Sequence, residues 1–417
     1  MSLEALIWLA AGLAILGIVI RPFDLTEAVW PAMAVMLLLL LRAITPQTAL
    51  IGVGRGIDVY LFLAGMMLLA EIARTEGLFD WLAALATSHA AGSARRLFFL
   101  TYAVGTVVTV FLSNDATAVV LTPAVAAAVR TAKAQTPLPF LLACAFIANA
   151  ASFVLPISNP ANLVIYASRM PPLLQWLPQF LVPSVLAIVA TYAVLRWTQR
   201  DALTQAIATD VPMPVLTMGG KTAAAGIAAT AVALLGASAL DLQLGLPTFI
   251  AGGATAVIVT IAEPKKAWIV LKEISWGVLP LVAALFVLVE ALDQTGAIAD
   301  LAAFLQRAVA QAPGAAAWGS GIAVALASNI ANNLPVGLFA ASAIQSAQPP
   351  DAVTRAVLIG VDLGPNLSVT GSLATILWLT ALRRDGQHVG AFAFLRLGVL
   401  IMPPALILAL AGASLWR

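Results

Sequence analysis

The sequence predicts an all-α polytopic membrane protein built from two inverted repeats, with about ten spanning helices, two re-entrant hairpins and two broken helices. The first observation is composition: of 417 residues, 62% are hydrophobic and 10% are charged, whereas soluble domains carry about 25% charged residues. The second observation is that some apolar runs have polar residues at their middle. The third is a similarity between the two halves of the chain. At about 20 apolar residues per crossing, the length accommodates many membrane segments.

Charge and cysteine content exclude several functional classes. The net charge of +2 provides no basic surface for nucleic acid. The lone Cys144 cannot form an intrachain disulfide, and with only two histidines, His89 and His388, the chain lacks the usual ligands of a zinc site. We therefore expect no cofactor, no metal and no catalytic residues. Glu4 replaces the basic start of a signal peptide, so the amino-terminal apolar run is predicted to be the first spanning helix.

Apolar runs bounded by charged residues, proline and glycine predict the spans in chain order. They lie near 4–20, 27–43, 57–75, 137–168, 173–198, 221–241, 246–262, 279–293, 352–382 and 392–415. The segments 137–168 and 352–382 are too long for one straight helix. Because proline interrupts a helix, we expect both to be broken. The Gly52-x-Gly54-x-Gly56 run is predicted to be a flexible loop.

Two further apolar stretches, 97–130 and 315–346, have polar residues at their middle. These are Ser113-Asn114-Asp115 and Ser328-Asn329, where a continuous span would meet hydrocarbon. Polar irregular backbone is tolerated at that depth only when it is buried in protein or lines an aqueous cavity. We therefore predict that each stretch is a re-entrant hairpin with its tip inside the membrane.

The positive charges predict the orientation. With this topology, fifteen Lys and Arg residues, including Arg74 and Arg384, fall on one side of the membrane, and this richer side is expected to be cytoplasmic. The six on the other side are Arg42, Arg55, Arg169, Arg307, Arg355 and Arg417. The protein is thus predicted to be a multi-pass protein of the inner (plasma) membrane with both termini external. The polar segment 199–220 becomes a cytoplasmic linker between a first repeat, 1–198, and a second repeat, 221–417.

The repeat is visible as landmarks that recur in the same order. They are Glu71 and Gly77 with Glu290 and Gly296, then Ser113-Asn114 with Ser328-Asn329, then Asn149 with Asp362. An odd number of spans separates the halves, so the repeats are expected to face opposite ways, as in secondary transporters. The alternative is that two Ala- and Leu-rich sequences resemble each other by composition alone.

The embedded polar residues form four clusters that a pseudo-two-fold axis would bring to one central site. The candidate substrate-binding residues are Ser113, Asn114, Thr117, Ser158, Asn159, Asn162, Ser328, Asn329, Asn332, Asn333, Asn366, Thr370 and Ser372. Isolated Ser and Thr residues commonly just hydrogen-bond between membrane helices. Several amides and carboxylates at interrupted spans favour function, because burying them is costly.

Four carboxylates, Glu71, Asp115, Glu290 and Asp362, are candidates for proton coupling. An ionisable residue within the membrane is by default a functional hypothesis, and desolvation raises the pKa of a carboxylate toward neutrality. Asp115 and Asp362 lie in the polar clusters. Glu71 and Glu290 lie outside them, so structural pairing is an equal alternative for these two. Either aspartate could instead remain charged and cap a half-helix.

Three runs resemble the signatures of the bacterial arsenite efflux permeases, in the ion transporter superfamily that also holds sodium-coupled dicarboxylate carriers. They are FLSNDATAVVLTP (111–123), SNIANNLP (328–335) and VDLGPNLSVTGSLATILWL (361–379). The resemblance implies export of arsenite and antimonite in exchange for protons, sometimes with a soluble arsenite-stimulated ATPase. It places hairpin tips at Ser113-Asn114-Asp115 and Ser328-Asn329-Ile330. The dicarboxylate branch has Ser-Asn-Thr at both tips, so Asp115 and Ile330 argue against sodium binding.

Other functions stay open at this point. A cation/proton antiporter or an organic-anion carrier of the same superfamily would share the fold. A membrane subunit that docks a soluble ATPase would not transport alone. An intramembrane enzyme is disfavoured because His89 and His388 fall in predicted loops.

Overall fold

The structure is a computed structural model that describes residues 2–209, 211–261 and 264–416. Helices make up 80% of it, and the described residues contain an isolated bridge, Ser93 with Ala206, but no strand. Within these residues seven helices are long and apolar enough to cross a membrane, or eight if the bent pair at 46–75 is one span. The predicted all-α, multi-pass membrane class is confirmed.

The first half contributes eleven described α-helices, joined by turns. These are α1 (Leu3–Ile20), α2 (Val29–Leu40), α3 (Pro46–Arg55), α4 (Ile57–Thr75), α5 (Leu78–His89), α6 (Ala94–Phe111), α7 (Asn114–Ala116), α8 (Thr122–Thr131), α9 (Leu138–Ala150), α10 (Pro160–Tyr166) and α11 (Leu173–Thr198). A π-helical turn, Thr117–Leu121, connects α7 to α8, and a 3-10 turn, Pro156–Ser158, lies between α9 and α10.

The second half follows the same order. Its described helices are α12 (Met218–Ala239), α13 (Gly245–Thr260), α14 (Pro264–Glu273), α15 (Val278–Asp293), α16 (Ala297–Gln311), α17 (Pro313–Ala331), α18 (Asn333–Ala347), α19 (Asp351–Leu363), α20 (Leu373–Arg384) and α21 (Ala391–Ser414). A 3-10 turn, Gly364–Leu367, separates α19 from α20. Thus α6 to α8 and α17 to α18 form the two hairpins, and α9–α10 and α19–α20 form the two broken segments.

Four helices, α3, α5, α14 and α16, lie between the apolar runs where the sequence analysis placed only loops. These helices are short and carry polar residues among their apolar ones, so they lack the long apolar stretch that marks a span. Gly52 and Gly54 lie inside α3, so the interpretation of this run as a flexible loop is wrong. A Cβ on Gly52 would lie 2.8 Å from Val287 Cα, which shows that α3 packs directly on the backbone of α15.

The packing between the halves is reciprocal. Helix α4 packs on α13 while α15 packs on α2, and α10 packs on α18 while α20 packs on α8. Helices α11 and α21, which end the two halves, pack on each other. A two-fold relation between the halves would produce these exchanges, so they support the proposed repeat. The opposite orientation of the halves and the re-entrant path of the hairpins stay predictions.

Small residues bring the helices behind the site into backbone contact. A Cβ on Gly252 of α13 would lie 2.5 Å from Gly65 O of α4, and one on Gly321 of α17 would lie 2.8 Å from Ala356 O of α19. Close approach at small residues is the usual means of helix association in a membrane. These contacts fix α4 and α19, which carry residues of the candidate site.

Candidate functional site

The tip of the first hairpin is a sharp turn at Ser113. Its backbone has φ 147° and ψ 166°, and its hydroxyl accepts a hydrogen bond from Ala116 N at 3.3 Å, which caps α7. L residues rarely adopt this conformation, and such backbone strain concentrates at functional sites. Asn114 Oδ1 accepts from Asp115 N at 2.9 Å, and the Thr117 and Thr109 hydroxyls lie 2.8 Å apart.

The tip of the second hairpin has the same construction at Asn332. This residue has φ 68° and ψ 147°, and its Oδ1 accepts from Leu334 N at 3.3 Å to cap α18. Asn333 N donates to Gly371 O at 2.8 Å. The tip is thereby joined to the loop between α19 and α20.

These caps correct the predicted position of the second tip. Ser113 and Asn332 are 219 positions apart, the same spacing as Glu71 and Glu290. Ser328 and Asn329 lie in the last turns of α17 instead. Leu334, rather than Ile330, therefore corresponds to Asp115, and Ile330 is 77% exposed. The match of Ser113-Asn114 to Ser328-Asn329 is wrong, because a second pair of polar residues, Asn332-Asn333, follows closely in the sequence and forms the turn.

The two broken segments are joined across the halves by a pair of equivalent hydrogen bonds. Asn159 caps α10 by accepting from Ala161 N at 3.0 Å, and its Nδ2 donates to Asp362 Oδ1 at 2.8 Å. Ser372 caps α20 by accepting from Thr375 N at 3.1 Å, and its hydroxyl donates to Asn149 Oδ1 at 3.3 Å. Both pairs follow the spacing of 213 that relates Asn149 to Asp362.

The aspartates therefore do not cap the half-helices themselves. The caps are Ser113, Asn159, Asn332 and Ser372. Asp362 lies in the last turn of α19, and its side chain is fully buried. Its Oδ2 has no hydrogen-bond partner among the described residues. A buried carboxylate oxygen without a donor is costly, and a proton on Asp362 would relieve that cost.

Other predicted site residues hold the loops together. Asn329 Nδ2 donates to Ala325 O at 2.7 Å and to Gly364 O at 3.0 Å. Asn366 Oδ1 accepts a hydrogen bond from Asn149 Nδ2, and Asn366 Nδ2 donates one to Phe146 O, both at 3.0 Å. Asn162 Nδ2 donates to three carbonyls of its own broken segment, at 2.9 to 3.3 Å.

A small cavity of about 30 Å³ lies where the two tips and the two half-helix starts meet. Its polar lining residues are Asn114, Asp115, Asn159, Asn333 and Ser372. We call it the central cavity. The first residues of α7, α10, α18 and α20 all border it, and helix starts present backbone N–H groups without intrahelical acceptors. Four segments distant in sequence thus deliver amide, hydroxyl and carboxylate groups to one point.

A larger cavity of about 560 Å³, which we call the wide cavity, adjoins the central cavity. Asp115 lines both. The wide cavity is also lined by Glu71, Arg74, Asp80 and Arg384. Glu71 forms an ion pair with Arg74. Burial raises the pKa of Asp80 above its ordinary value, and the nearby Arg74 partly opposes this.

The structure thus divides the predicted site residues into three groups. Those at the central cavity are Asn114, Asp115, Asn159, Asn333 and Ser372. Those at the wide cavity are Ser113, Asp115 and Glu71. Those that line neither are Thr117, Ser158, Asn162, Ser328, Asn329, Asn332, Asp362, Asn366, Thr370 and Glu290. Glu290 forms an ion pair with Arg55, with Nη1 and Oε2 2.6 Å apart.

The sequence analysis missed the apolar wall of the central cavity. Leu63 of α4 and Val278 and Val282 of α15 supply it. Aliphatic residues on membrane helices carry no signal that separates a cavity wall from a lipid-facing surface. The Glu71–Glu290 match did indicate that α4 and α15 occupy corresponding places.

Interrupted helices around a central cavity with polar lining residues are the arrangement typical of secondary transporters, and the family and relatives of this chain are membrane transporters. The chain belongs to the citrate transporter family CitMHS, whose model matches residues 13–361. It is 28% identical over 352 residues to the arsenical pump membrane protein of Yersinia enterocolitica, with 82% of each chain covered. It is equally 28% identical, over 367 residues, to the arsenical pump membrane protein of Escherichia coli K12, again with 82% coverage of each.

Solved structures with this fold are also membrane transporters. The YdaH transporter of Alcanivorax borkumensis matches with a TM-score of 0.56 and 15% identity, over 88% of this chain and 86% of that one. MtrF of Neisseria gonorrhoeae matches with a TM-score of 0.55 and 13% identity, over 100% and 95%. At these identities the likeness concerns the fold alone.

Proposed function

We propose that this protein exports arsenite, and also antimonite, across the inner membrane in exchange for protons, and so provides arsenic resistance. The observation that carries the proposal is the chemistry of the central cavity. Its polar lining residues are three asparagines, one serine and Asp115, and none of the described residues that line it is Lys or Arg. The side chains of Asn159 and Ser372 already form hydrogen bonds with Asp362 and Asn149. Arsenite near neutral pH is an uncharged trihydroxide, which such groups can bind by hydrogen bonds alone.

The size of the central cavity supports a small substrate. A water molecule needs at least about 10–15 Å³ of such space, so a cavity of about 30 Å³ has room for only a few water-sized groups. A tricarboxylate is much larger, and its charges call for cationic partners. The two relatives named arsenical pump membrane proteins agree with a small arsenical substrate.

The position of Asp115 supports proton exchange. Its carboxylate borders the substrate groups on one side and the wide cavity on the other, so protons can reach it from water in the wide cavity. Asp362 is a second candidate for the proton-binding residue, because it accepts a hydrogen bond from Asn159, which lines the central cavity. A proton on either carboxylate removes a charge beside the substrate, which couples the two binding events.

The predicted orientation is compatible with loading of arsenite from the cytoplasm. The wide cavity is lined by Arg74 and Arg384, which belong to the side predicted to be cytoplasmic. In this conformation the central cavity therefore communicates with the cytoplasm, where arsenite would enter. External termini and a cytoplasmic 199–220 linker complete the proposed topology. A soluble ATPase partner is a further prediction of the resemblance.

A second candidate function is transport of an organic anion. The description of the matching family as citrate transporters favours it, as do the helix starts at the central cavity, since N–H groups there attract negative charge. This function requires the cavity to enlarge and to accept a carboxylate without a Lys or Arg partner.

Purified protein in liposomes separates the two. The vesicles are loaded with arsenite, succinate or citrate, with and without sodium, and counterflow of labelled substrate is measured. The proposal predicts arsenite counterflow that is independent of sodium and is not inhibited by succinate or citrate. Succinate or citrate counterflow without arsenite counterflow would establish the organic-anion function instead.

A further inference from the structure

A third cavity, of about 600 Å³, lies away from the central site at the other end of α19. We call it the Arg355 cavity. It is enclosed by the starts of α17 and α19, by α11 and by the end of α21, and it shares no lining residue with the central or wide cavities. Its most unusual lining residue is Arg355, in the second turn of α19.

Arg355 is buried, at 4% exposure, yet its described partners are neutral. Its Nη2 donates to Trp416 O at 2.8 Å and its Nη1 to Gln179 Oε1 at 3.4 Å. Its Nε has no hydrogen-bond partner. Among the described residues no carboxylate forms an ion pair with it. A buried cation without a counter-charge among the described residues is costly, and this one lines the Arg355 cavity.

The surroundings of Arg355 add further features of a ligand site. The hydroxyl of Tyr166 is buried without a partner, and it lies close enough to Arg355 and Asp351 to interact electrostatically with both. Asp351 lies on the rim of the cavity, is exposed and leaves Arg355 unpaired. A guanidinium N–H and a phenol O–H are thus buried in one region without an acceptor among the described residues, although Tyr166 does not line the cavity itself.

The walls indicate where the cavity lies relative to the membrane. Trp318 and Trp416 line it, and Trp318 Nε1 donates to Ser414 Oγ at 3.1 Å. Tryptophan is enriched at the membrane–water interface, where its ring packs on apolar chains and its N–H stays hydrated. Leu174 and Leu415 nearby in sequence are 81% and 77% exposed. Exposed apolar side chains therefore lie close in sequence to the residues that line the Arg355 cavity, on the side predicted to be external. The charged lining residues of this cavity are the buried Arg355 and the exposed Asp351.

We propose that the Arg355 cavity binds a phosphate-type oxyanion, either the headgroup of an anionic phospholipid or a free phosphate ion. The planar guanidinium is suited to two parallel hydrogen bonds with such a group. The site is separate from substrate transport and does not depend on which substrate the central cavity takes.

The test measures the thermal unfolding midpoint of the full chain in uncharged detergent. Phosphatidylglycerol, phosphatidylcholine and inorganic phosphate are titrated separately. Phosphatidylglycerol is expected to raise the midpoint in a saturable way and phosphatidylcholine is not. A matching effect of inorganic phosphate identifies the free ion as a ligand, whereas its absence identifies the lipid headgroup. Equal effects of the two lipids, or no effect of any probe, would overturn the proposal.

Variants locate the effect. Arg355→Gln is expected to weaken the anion response at least about tenfold, since a charge-assisted hydrogen bond is lost. Arg307→Gln removes an exposed cation on the same predicted side and serves as the matched control. Asp351→Asn removes a negative charge from the rim and is expected to strengthen the response. An unchanged response in Arg355→Gln would overturn the proposal. If that variant does not fold, Asp351→Asn tests the site instead, and an unchanged anion response in that variant would overturn the proposal.

Discussion

Asn159 Nδ2 donates a hydrogen bond to Asp362 Oδ1 across 2.8 Å, and so joins the cap of one broken segment to the carboxylate of the other. Its counterpart, Ser372 to Asn149, has the same place in the other half at 3.3 Å. One of the two acceptors is a carboxylate and the other an amide, so only the Asn159 side of this arrangement can respond to a proton.

The first prediction concerns this hydrogen bond. Asn159→Ala removes the cap of α10 and the amide donor to Asp362 Oδ1. Losing a cap costs about 1 kcal/mol, and an unpaired buried acceptor about 1–3 kcal/mol. We expect arsenite transport in liposomes to fall more than tenfold while the protein still inserts. Ser93→Ala, which removes the cap of α6 far from the site, should transport normally. A normal rate in Asn159→Ala would remove Asn159 from the site.

The second prediction separates Asn333 from Asn329. Asn333 lines the central cavity, whereas Asn329 binds Ala325 O and Gly364 O. We expect Asn333→Ala to abolish arsenite transport with little change in thermal stability. Asn329→Ala should instead lower stability by about 1–3 kcal/mol, because it leaves buried carbonyls unpaired. Thermal unfolding and transport are measured on the same preparations of both variants. If Asn329→Ala abolished transport and Asn333→Ala only lowered stability, Ser328-Asn329 would again be the candidate second tip.

Several features of this fold could be predicted from local sequence signals. The helices α1, α4, α11 and α15 begin and end within two residues of the expected spans, because the length of an apolar run is a local property. The helices α3, α5, α14 and α16 were missed because a short amphipathic helix does not resemble a span. The all-α membrane class needed only composition.

The site was less predictable, because its polar residues look alike in sequence. Asn114, Asn333, Asn329 and Asn366 all lie near a break, yet two line the central cavity and two hold backbone carbonyls or another amide. Only tertiary packing separates these roles. The second tip was predicted at Ser328-Asn329 and not at Asn332 for the same reason. Two pairs of polar residues lie close together there, and the sequence does not show where α17 ends.

The third prediction tests the packing behind the site. A Cβ on Gly321 would lie 2.8 Å from Ala356 O, whereas a Cβ on Gly319 of the same helix meets nothing within 4 Å. We expect Gly321→Ala to lower the free energy of unfolding by about 1–3 kcal/mol. Gly319→Ala should change it by less than about 1 kcal/mol. Thermal unfolding in detergent measures both. Equal effects would show that α17 and α19 are not in backbone contact.

The fourth prediction concerns topology. Cysteines introduced at Asp201, whose side chain is 96% exposed, and at Ser414 should react from opposite sides with an impermeant thiol reagent. The fifteen-to-six distribution of positive charge predicts that Asp201 is cytoplasmic and Ser414 external. The native Cys144 is buried and gives little background. Labelling from the same side would overturn the predicted orientation.

The most direct test of proton-coupled export is arsenite flux in liposomes with and without an imposed pH gradient, for the wild type, Asp115→Asn and Asp362→Asn. Both variants keep the shape of the side chain but cannot titrate. We predict that the gradient accelerates the wild type, and that Asp115→Asn still exchanges arsenite between equal pools but no longer responds to the gradient. If Asp115→Asn responds and Asp362→Asn does not, Asp362 carries the proton. A full response to the gradient in both variants would contradict proton coupling through the central cavity.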